Sequence, residues 1–389
     1  MIKTSFVTRN FNGWGCLSVL PEEVKRLKAS CALIITDPFL EKSGMAAQIA
    51  QLLDTVGVKS IINSDVVPEP PLAVGEKLVA FSRQQSVDLV IGLGGGSAID
   101  LAKLVAALVT QEGTVKEYLN LTGTRTLEKA SLPKIMISTT SGTGSEVTNI
   151  SVLSLENSKD VVVHDNLLAE VVIVDPALTV SVPPRVTAAT GIDALTHAIE
   201  SYVSVNATPI SEALSLQAIR LIGRSIVAAV DNGQDKQART DMSYGSYLAG
   251  LAFFNAGCAA VHALAYPLGG QFHIAHGESN AVLLPYVMGY IRSSCEKKLK
   301  DIYEALGYSA SLLSQEEASI QCIKVLQNIV KRVGIPETLQ AFDIPETALP
   351  ALTQAGLQQK RLLQRSPMAL TESDIFKIYE ATYHGKTFC

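Results

Sequence analysis

Short apolar runs rich in β-branched residues alternate with amphipathic segments through the first half of this 389-residue chain. Near-continuous apolar runs are typical of strands buried on both faces, and the helical periodicity between them predicts the helices that cover those faces. The predicted strands are residues 32–36, 58–62, 88–93, 134–138 and 171–175, and the clearest predicted helices between them are residues 44–55 and 98–109. The pattern therefore predicts an α/β fold with a parallel sheet.

The character of the sequence changes after Val182-Pro183-Pro184-Arg185, where strand-like runs become rare and helical periodicity dominates. Residues 211–230 form one such helix, Ser314 and Glu317 form a capping box that opens another, and Thr371 starts the last. A chain of this length most often forms two domains. We therefore predict an α/β dinucleotide-binding domain over residues 1–184 and an all-helical metal-binding and catalytic domain over residues 185–389.

The composition excludes several classes of protein. Hydrophobic residues make up 47% and charged residues 18%, which favours a packed core over disorder. The net charge of −5, without a Lys/Arg run, argues against a nucleic-acid partner. Because no stretch of about 18 apolar residues and no signal-peptide core is present, we expect no membrane partner. The six scattered cysteines, without a CxxC pair, indicate reduced thiols and a cytoplasmic location.

A glycine cluster follows the strand at 88–93, in Gly94-Gly95-Gly96-Ser97, just before a predicted helix. Glycines let backbone amides approach phosphate oxygens, and the start of a helix adds positive potential. The spacing is not GxGxxG, and no Gly-Lys-Ser/Thr follows. By itself the cluster is therefore equally well interpreted as a tight strand-to-helix turn.

A second loop favours the nucleotide interpretation. Residues 139–146, rich in hydroxyls and glycines, follow the strand at 134–138. Such loops at the carboxyl ends of two parallel strands suit a dinucleotide. The candidate contacts are Gly94, Gly95, Gly96, Ser97, Asp100, Thr139, Thr140, Thr143 and Ser145.

Asp37 stands just past the strand at 32–36 and before Pro38. Its carboxylate is placed to accept from a ribose hydroxyl and to repel a 2′-phosphate, which favours NAD over NADP. The alternative is that Asp37 only caps the loop.

A carboxylate and three imidazoles form a candidate metal site. Asp193 and His197 are four residues apart, so a helix places them on one face. His262 and His276 flank a segment with proline and glycine and complete the set. These donors suit iron, zinc or nickel. Four of the six histidines lie between positions 197 and 276, which makes a chance cluster of core residues a weaker interpretation.

Together these motifs resemble the iron-containing (group III) alcohol dehydrogenase family over nearly the whole chain. Gly94–Ser97 with Asp100 and Lys103 is similar to the phosphate loop of that family and the helix after it, and residues 139–146 to the second nucleotide loop. Residues 190–200 and 262–280 are similar to its two signature segments.

The resemblance implies a dehydroquinate synthase-like two-domain architecture with the active site in the cleft between the domains. It places Asp193, His197, His262 and His276 at the metal-ligand positions, with Fe²⁺, sometimes Zn²⁺, as metal and NAD(H) or NADP(H) as cofactor; Asp37 favours NAD(H). The implied reaction is an alcohol dehydrogenase or aldehyde reductase reaction on a small primary alcohol, diol or ω-functionalised aldehyde. In it the metal polarises the substrate oxygen during hydride transfer. A homodimer or higher homo-oligomer is the implied assembly.

Two candidate catalytic residues keep alternatives open. Tyr266 stands where many family members carry a histidine that is thought to assist proton transfer, so it either relays a proton or only packs against the pocket. His273 either orients a ligand or is a plain turn residue. For the whole protein, the alternatives are a glycerol dehydrogenase-like or dehydroquinate synthase-like enzyme, and a non-catalytic nucleotide- or metal-binding sensor.

Overall fold

A computed structural model of the chain describes residues 4–156 and 158–388. Its contacts divide into two compact units. The first, called here the sheet unit, comprises Phe6–Thr140 and Gly144–Thr179. The second, called here the helical unit, comprises Ser141–Thr143, residues 180–388 and residues 4–5.

The sheet unit is built on a six-stranded parallel sheet with strand order β1-β8-β5-β4-β2-β3, beside which β6 and β7 form a separate antiparallel pair. Every residue of the two central strands, β4 and β5, is buried, which is why their interior residues are apolar in sequence, while Lys134 and Ser138 stand at the two ends of β5. The strands are β1 Asn10–Asn12, β2 Cys31–Ile35, β3 Lys59–Asn63, β4 Leu89–Gly94, β5 Lys134–Ser138, β6 Ile150–Ser154, β7 Lys159–Val163 and β8 Val171–Val174.

The helices of the sheet unit alternate with its parallel strands, as the sequence predicted. They are α1 Leu20–Arg26, α2 Pro38–Lys42, α3 Met45–Asp54, α4 Leu72–Arg83 and α5 Gly96–Leu108. Helix α5 is buried from Ala98 to its last residue. The α/β prediction is confirmed, and it omitted only β1, β6 and β7.

The helical unit contains no strand among its described residues. Its helices are α6 Pro184–Val203, α7 Pro209–Asp231, α8 Lys236–Ala256, α9 Ala260–Phe272, α10 His276–Ile291, α11 Glu296–Ala305, α12 Gln315–Arg332, α13 Leu349–Leu357, α14 Lys360–Leu363 and α15 Glu372–His384. The predicted capping box of Ser314 and Glu317 opens α12, and Thr371 caps α15. Helix α6 is buried on all sides from Thr187 onward, apart from the half-buried Thr190, so it forms the centre of this unit.

Helix α7 is long and apolar enough to cross a membrane by length and composition, and α8 with α9 passes the same test as a pair bent by 105°. Helix α7 nevertheless packs against α6 and α8. Arg224 on α7 also pairs with Asp241 on α8, at 2.7 Å between Nε and Oδ2. We therefore interpret α7 as a packed helix of this unit.

A buried lysine organises the sheet unit around α5. The Lys103 ammonium is fully buried and donates to the carbonyl oxygens of Ser145, Thr148 and Ile150. It also forms an ion pair with Asp100, at 3.1 Å. Burial lowers the pKa of Lys103, while the carboxylate of Asp100 partly restores it. Lys103 therefore ties the backbone of residues 145–150 to α5.

Replacing Lys103 with methionine should destabilise the protein strongly. The substitution keeps most of the side-chain volume but removes the ammonium group that contacts Asp100 and three carbonyl oxygens. Breaking a buried ion pair typically lowers the free energy of unfolding by about 3–5 kcal/mol. The measurement is the shift of the urea unfolding midpoint. Lys42→Met, at an exposed position of the same unit, is the control, and equal stabilities of the two variants would contradict the anchoring role.

Candidate metal centre

Helix α6 carries three polar residues on one buried face. Asp193, His197 and Glu200 follow one another at spacings of four and three residues, which brings them to the same side of a helix. Asp193 is 2% and Glu200 0% exposed. Carboxylates are placed this deeply in a core only where other groups compensate their charge.

Helices α9 and α10 supply the compensating groups. His262 lies in the first turn of α9, after Gly257 ends α8 in the left-handed region at a φ of 81°. His276 is the first residue of α10. A side chain on Gly277 would overlap the carbonyl oxygen of Ala189, so glycine at this position allows α10 to lie directly against α6.

An ion pair holds the start of α10 against the start of α6. Arg185 donates to both carboxylate oxygens of Glu278, at 2.7 and 3.2 Å. The Glu278 side chain is buried, whereas Arg185 is largely exposed. This bidentate contact fixes the turn that carries His276.

The four predicted metal ligands come together in the structure. The Nε2 atoms of His197 and His262 are 3.0 Å apart, and Asp193 Oδ1 is 3.6 Å from His262 Nε2 and 3.7 Å from His276 Nε2. A cation about 2.0–2.2 Å from each donor requires donors separated by roughly 3–4 Å. The donor set and its spacing therefore fit a divalent transition metal, and ligation by these residues stays a prediction.

Glu200 orients one of these ligands. Its Oε2 lies 2.5 Å from His262 Nδ1, and its Oε1 accepts from the backbone N–H of Val261 at 2.6 Å. A proton on Nδ1 leaves His262 Nε2 free to bind a cation, the usual arrangement of carboxylate, histidine and metal. Sequence reasoning assigned no role to Glu200, although an acidic residue three positions after His197 on the same face is a usable signal.

Asn280 is a second polar residue of the site that sequence reasoning left without a role. Its Nδ2 donates to Asp193 Oδ1 at 2.7 Å and lies 3.2 Å from His262 Nε2 and 3.3 Å from His276 Nε2. Its Oδ1 is buried without a hydrogen-bond partner. Asn280 is one helical turn after His276, so α10 presents both toward Asp193.

The electrostatics of the cluster favour a cation. Burial alone would raise the pKa of Asp193, but the imidazoles of His197, His276 and His262 hold it well below its usual range. Burial opposes the charged form of His262, yet Cys258 and Glu200 raise the pKa of this imidazole well above its ordinary value. The negative charges of Asp193 and Glu200 therefore lie close to the imidazole nitrogens, and this combination favours the binding of a cation.

Cys258 is a member of the cluster that the sequence did not reveal. Burial raises the pKa of this thiol, but His262 and His197 outweigh burial and lower it to about 6. Among the described residues every cysteine is a free thiol, in agreement with the predicted reduced state, and Cys389 lies outside that range.

Aromatic packing fixes the ring of His197. The ring stacks against Phe253 at 4.4 Å and against His262 at 4.5 Å between centroids. Phe253 also packs, with Tyr266 and Leu363, against an apolar cluster formed by Cys258, Ala263 and Leu362. The ring of the predicted metal ligand His197 therefore borders an apolar wall formed by Phe253 and this cluster.

The two candidate catalytic residues occupy different environments. Tyr266 lies one turn after His262 on α9, and its ring centroid is 5.8 Å from that of His276. Burial raises the pKa of the Tyr266 hydroxyl, which keeps it protonated. His273 is exposed at the C-cap of α9, with a φ of 54°, and no hydrogen bond of its imidazole is found. Its placement supports the interpretation as a turn residue, and no contact of His273 supports a role in orienting a metal ligand.

The two glycine-containing loops meet at the carboxyl edge of the sheet. Strands β4 and β5 are neighbours, and the backbone N–H of Thr139 donates to the carbonyl of Gly94 at 3.0 Å. A Cβ on Gly95, which precedes Gly96 at the start of α5, would lie 3.2 Å from Thr140 Oγ1. The nucleotide interpretation requires this adjacency.

Several of the predicted nucleotide contacts already have partners within the protein. Asp37 Oδ1 caps α2 by accepting from the N–H groups of Phe39 and Leu40, as in the capping alternative. Ser97 Oγ accepts from the backbone of Glu69 at 3.2 Å. Asp100 accepts from the Ser145 hydroxyl and, at 3.0 Å, from the Val152 N–H.

The remaining predicted contact, Thr143, belongs to the Ser141–Thr143 segment of the helical unit. Asp100 and Ser145 are hydrogen-bonded to each other, and this contact holds the predicted nucleotide loops in place. Binding of NAD(H) by these residues stays a prediction.

Comparison with known proteins agrees with this geometry. Residues 8–176 match the family described as iron-containing alcohol dehydrogenase, and residues 187–383 match the C-terminal part of the Fe-containing alcohol dehydrogenase family. The chain belongs to the iron-containing alcohol dehydrogenase family. It is 67% identical to long-chain-alcohol dehydrogenase 1 of Geobacillus thermodenitrificans over 96% of this chain and 94% of that protein.

Two further relatives extend the comparison. The NAD-dependent methanol dehydrogenase of Bacillus methanolicus is 33% identical over 94% of this chain and 96% of its own length. The crystal structure of a 1,3-propanediol oxidoreductase superposes with a TM-score of 0.94 at 35% identity, covering 98% of this chain and all of the other. The predicted enzyme class, a metal-dependent and NAD(H)-linked alcohol dehydrogenase, is confirmed, as is the predicted fold class.

Replacing Glu200 with glutamine should weaken metal binding about 10- to 100-fold, the usual cost of losing a group that orients a metal-bound histidine. The neutral amide of glutamine accepts the hydrogen bond from His262 Nδ1 more weakly than the carboxylate of Glu200 does. The measurement is the Zn²⁺ or Fe²⁺ dissociation constant, determined anaerobically against a chromophoric chelator. Glu304→Gln, at an exposed position of α11, should leave the constant unchanged, and equal constants for both variants would refute the orienting role.

Proposed function

We propose that this alcohol dehydrogenase interconverts primary alcohols that carry an apolar chain with the corresponding aldehydes, using NAD(H). The observation that carries the proposal is the apolar wall beside the metal-binding nitrogens, where Phe253 stacks on His197 and packs against Ala263 and Leu362. Such a surface favours an alkyl chain over a charged substituent. The name of the long-chain-alcohol dehydrogenase of Geobacillus thermodenitrificans supports the same substrate class.

Asp193, His197, His262 and His276 would hold Fe²⁺ or Zn²⁺. The cation would supply Lewis-acid chemistry at the substrate oxygen, and NAD(H) would supply the hydride chemistry. Phe253 and its apolar neighbours exclude water from the substrate carbon, which protects the aldehyde from hydration. The protonated hydroxyl of Tyr266, beside His276, is placed to exchange a proton with the substrate oxygen.

The metal requirement can be tested with chelated protein and protein reloaded anaerobically with Fe²⁺, assayed for NADH formation with straight-chain alcohols of increasing length. Turnover should return only with metal, and kcat/KM should rise about fourfold per CH₂ group while the chain finds apolar surface, from about 0.8 kcal/mol per buried CH₂. 1,3-Propanediol and an anionic aldehyde complete the panel. A preference for either of these two substrates would overturn the apolar-chain assignment. The absence of turnover with any metal would favour the dehydroquinate synthase-like enzyme or the non-catalytic sensor.

Asp193→Ala should abolish both metal binding and turnover, since it removes the only carboxylate of the ligand set, which lies 3.6 Å from His262 Nε2 and 3.7 Å from His276 Nε2. Metal content by elemental analysis and NADH formation are measured on the same sample. Asp231→Ala, exposed at the end of α7, is the matched control. A variant at position 193 that retained both metal and turnover would exclude Asp193 as a ligand.

Tyr266→Phe should lower kcat about 100-fold or more, the smallest usual contribution of a positioned general acid or base, and should alter the pH profile of kcat. The substitution removes one hydroxyl and keeps the ring that packs beside His276. Kinetics are measured with the best alcohol of the panel over a range of pH values. An unchanged kcat and pH profile would leave Tyr266 only the packing role.

The assembly and location are part of the same proposal. Resemblance to the family supports a homodimer or higher homo-oligomer, and the sequence supports a cytoplasmic enzyme without a membrane or nucleic-acid partner. Light scattering of the purified protein and fractionation of cells that express it test these points. A monomer, or recovery in the membrane fraction, would overturn them.

A further inference from the structure

The Cys258 thiol lies among predicted metal ligands, although nothing in the sequence pattern or in the proposed reaction requires it there. One ligand atom each of His197, Cys258 and His262 lies within 4.8 Å of the other two, and all three residues are buried. Asp193, His262 and His276 satisfy the same distance criterion. These two groups overlap in His262, and the predicted four-ligand set of Asp193, His197, His262 and His276 shares both His197 and His262 with the first group.

Both imidazoles of the first set keep a ring nitrogen available for a cation. His262 Nδ1 is engaged by Glu200, so Nε2, which lies 3.0 Å from His197 Nε2 and 3.2 Å from Asn280 Nδ2, is the nitrogen that faces the cluster. His197 is 5% exposed, and its Nδ1 is buried without a hydrogen-bond partner. A buried ring nitrogen without a partner is costly unless another group or an ion satisfies it.

The two donor sets differ in chemical softness. Carboxylate and imidazole donors accept iron and zinc alike, whereas a thiolate favours thiophilic cations such as Zn²⁺. We propose that Cys258 is a metal ligand of this protein, forming with His197 and His262 a thiolate-containing site for a thiophilic divalent cation such as Zn²⁺ that overlaps the site of Asp193 and His276. The proposal rests on the metal centre of the proposed function and adds to it a determinant of metal choice.

The overlap makes the two modes of binding compete. Because both sets use His262, one cation occupies the cluster at a time. Cys258 therefore biases the cluster from iron toward zinc, and alanine at this position should remove that bias while leaving the donors of the second set intact.

Co²⁺ is the probe for the test, since its visible d–d bands report binding and a near-ultraviolet charge-transfer band reports sulfur ligation. The protein is loaded anaerobically with Co²⁺ in four forms: unmodified, Cys258→Ala, Cys258→Ser and Cys322→Ala. We expect the charge-transfer band in the unmodified protein and in Cys322→Ala, which alters another fully buried free thiol of the helical unit. Both Cys258 variants should keep d–d bands and lose the charge-transfer band, and the serine variant preserves the packing.

Competition between Zn²⁺ and Fe²⁺ gives a second readout. The ratio of the zinc to the iron binding constant should fall at least about tenfold in Cys258→Ala, because even groups outside the ligand set commonly change metal affinity by that factor. The ratio should stay unchanged in Cys322→Ala.

Three results would overturn the proposal. The first is a Co²⁺ complex of the unmodified protein that shows d–d bands but no charge-transfer band. This result would exclude Cys258 as a ligand and would leave the metal centre of the proposed function intact. The second is a charge-transfer band that persists in both Cys258 variants. The third is the absence of any Co²⁺ spectrum, which would refute the metal centre of the proposed function as well.

Discussion

The burial of two carboxylates on α6 is the constraint on which the helical unit depends. Asp193 and Glu200 lie in its core, and no lysine or arginine pairs with either of them within residues 4–156 and 158–388. Their charge is instead balanced by imidazoles, an amide and a backbone N–H from α9 and α10. The same contacts that compensate these buried charges therefore bring the predicted metal ligands together.

Local periodicity made most of the fold predictable. Five strands of the sheet carry apolar runs because both faces of the sheet are covered, and Asp193 with His197 follows a rule that needs only helical geometry. Strand β1 escaped prediction because it spans three residues, two of them asparagines. Strand β6 alternates between buried and half-buried residues, and only its pairing with β7 identifies it. Glu200, Asn280 and Cys258 acquire their roles through contacts such as the one between Asn280 and Asp193, 87 positions apart, which no local pattern encodes.

The nucleotide loops show a different limit of sequence reasoning. Hydroxyl and carboxylate side chains can either bind a ligand or hold a loop in place. A sequence motif does not distinguish between these two roles. Asp37 caps a helix with one oxygen while its other oxygen lies near Gly94. Asp100 and Ser145 bond to each other. Only the contact network shows that Asp37, Asp100 and Ser145 hold the backbone of the predicted nucleotide loops.

The Lys103 anchor has a consequence for the thermodynamics of cofactor binding. A loop that is ordered only by its ligand loses conformational entropy at the moment of binding, and that loss weakens the affinity. Here the ammonium group of Lys103 on α5 already restrains the backbone of residues 145–150, at the end of the second loop, through the carbonyls of Ser145, Thr148 and Ile150. This part of the predicted dinucleotide site is thus ordered before any ligand binds, and we expect binding there to proceed with little induced fit.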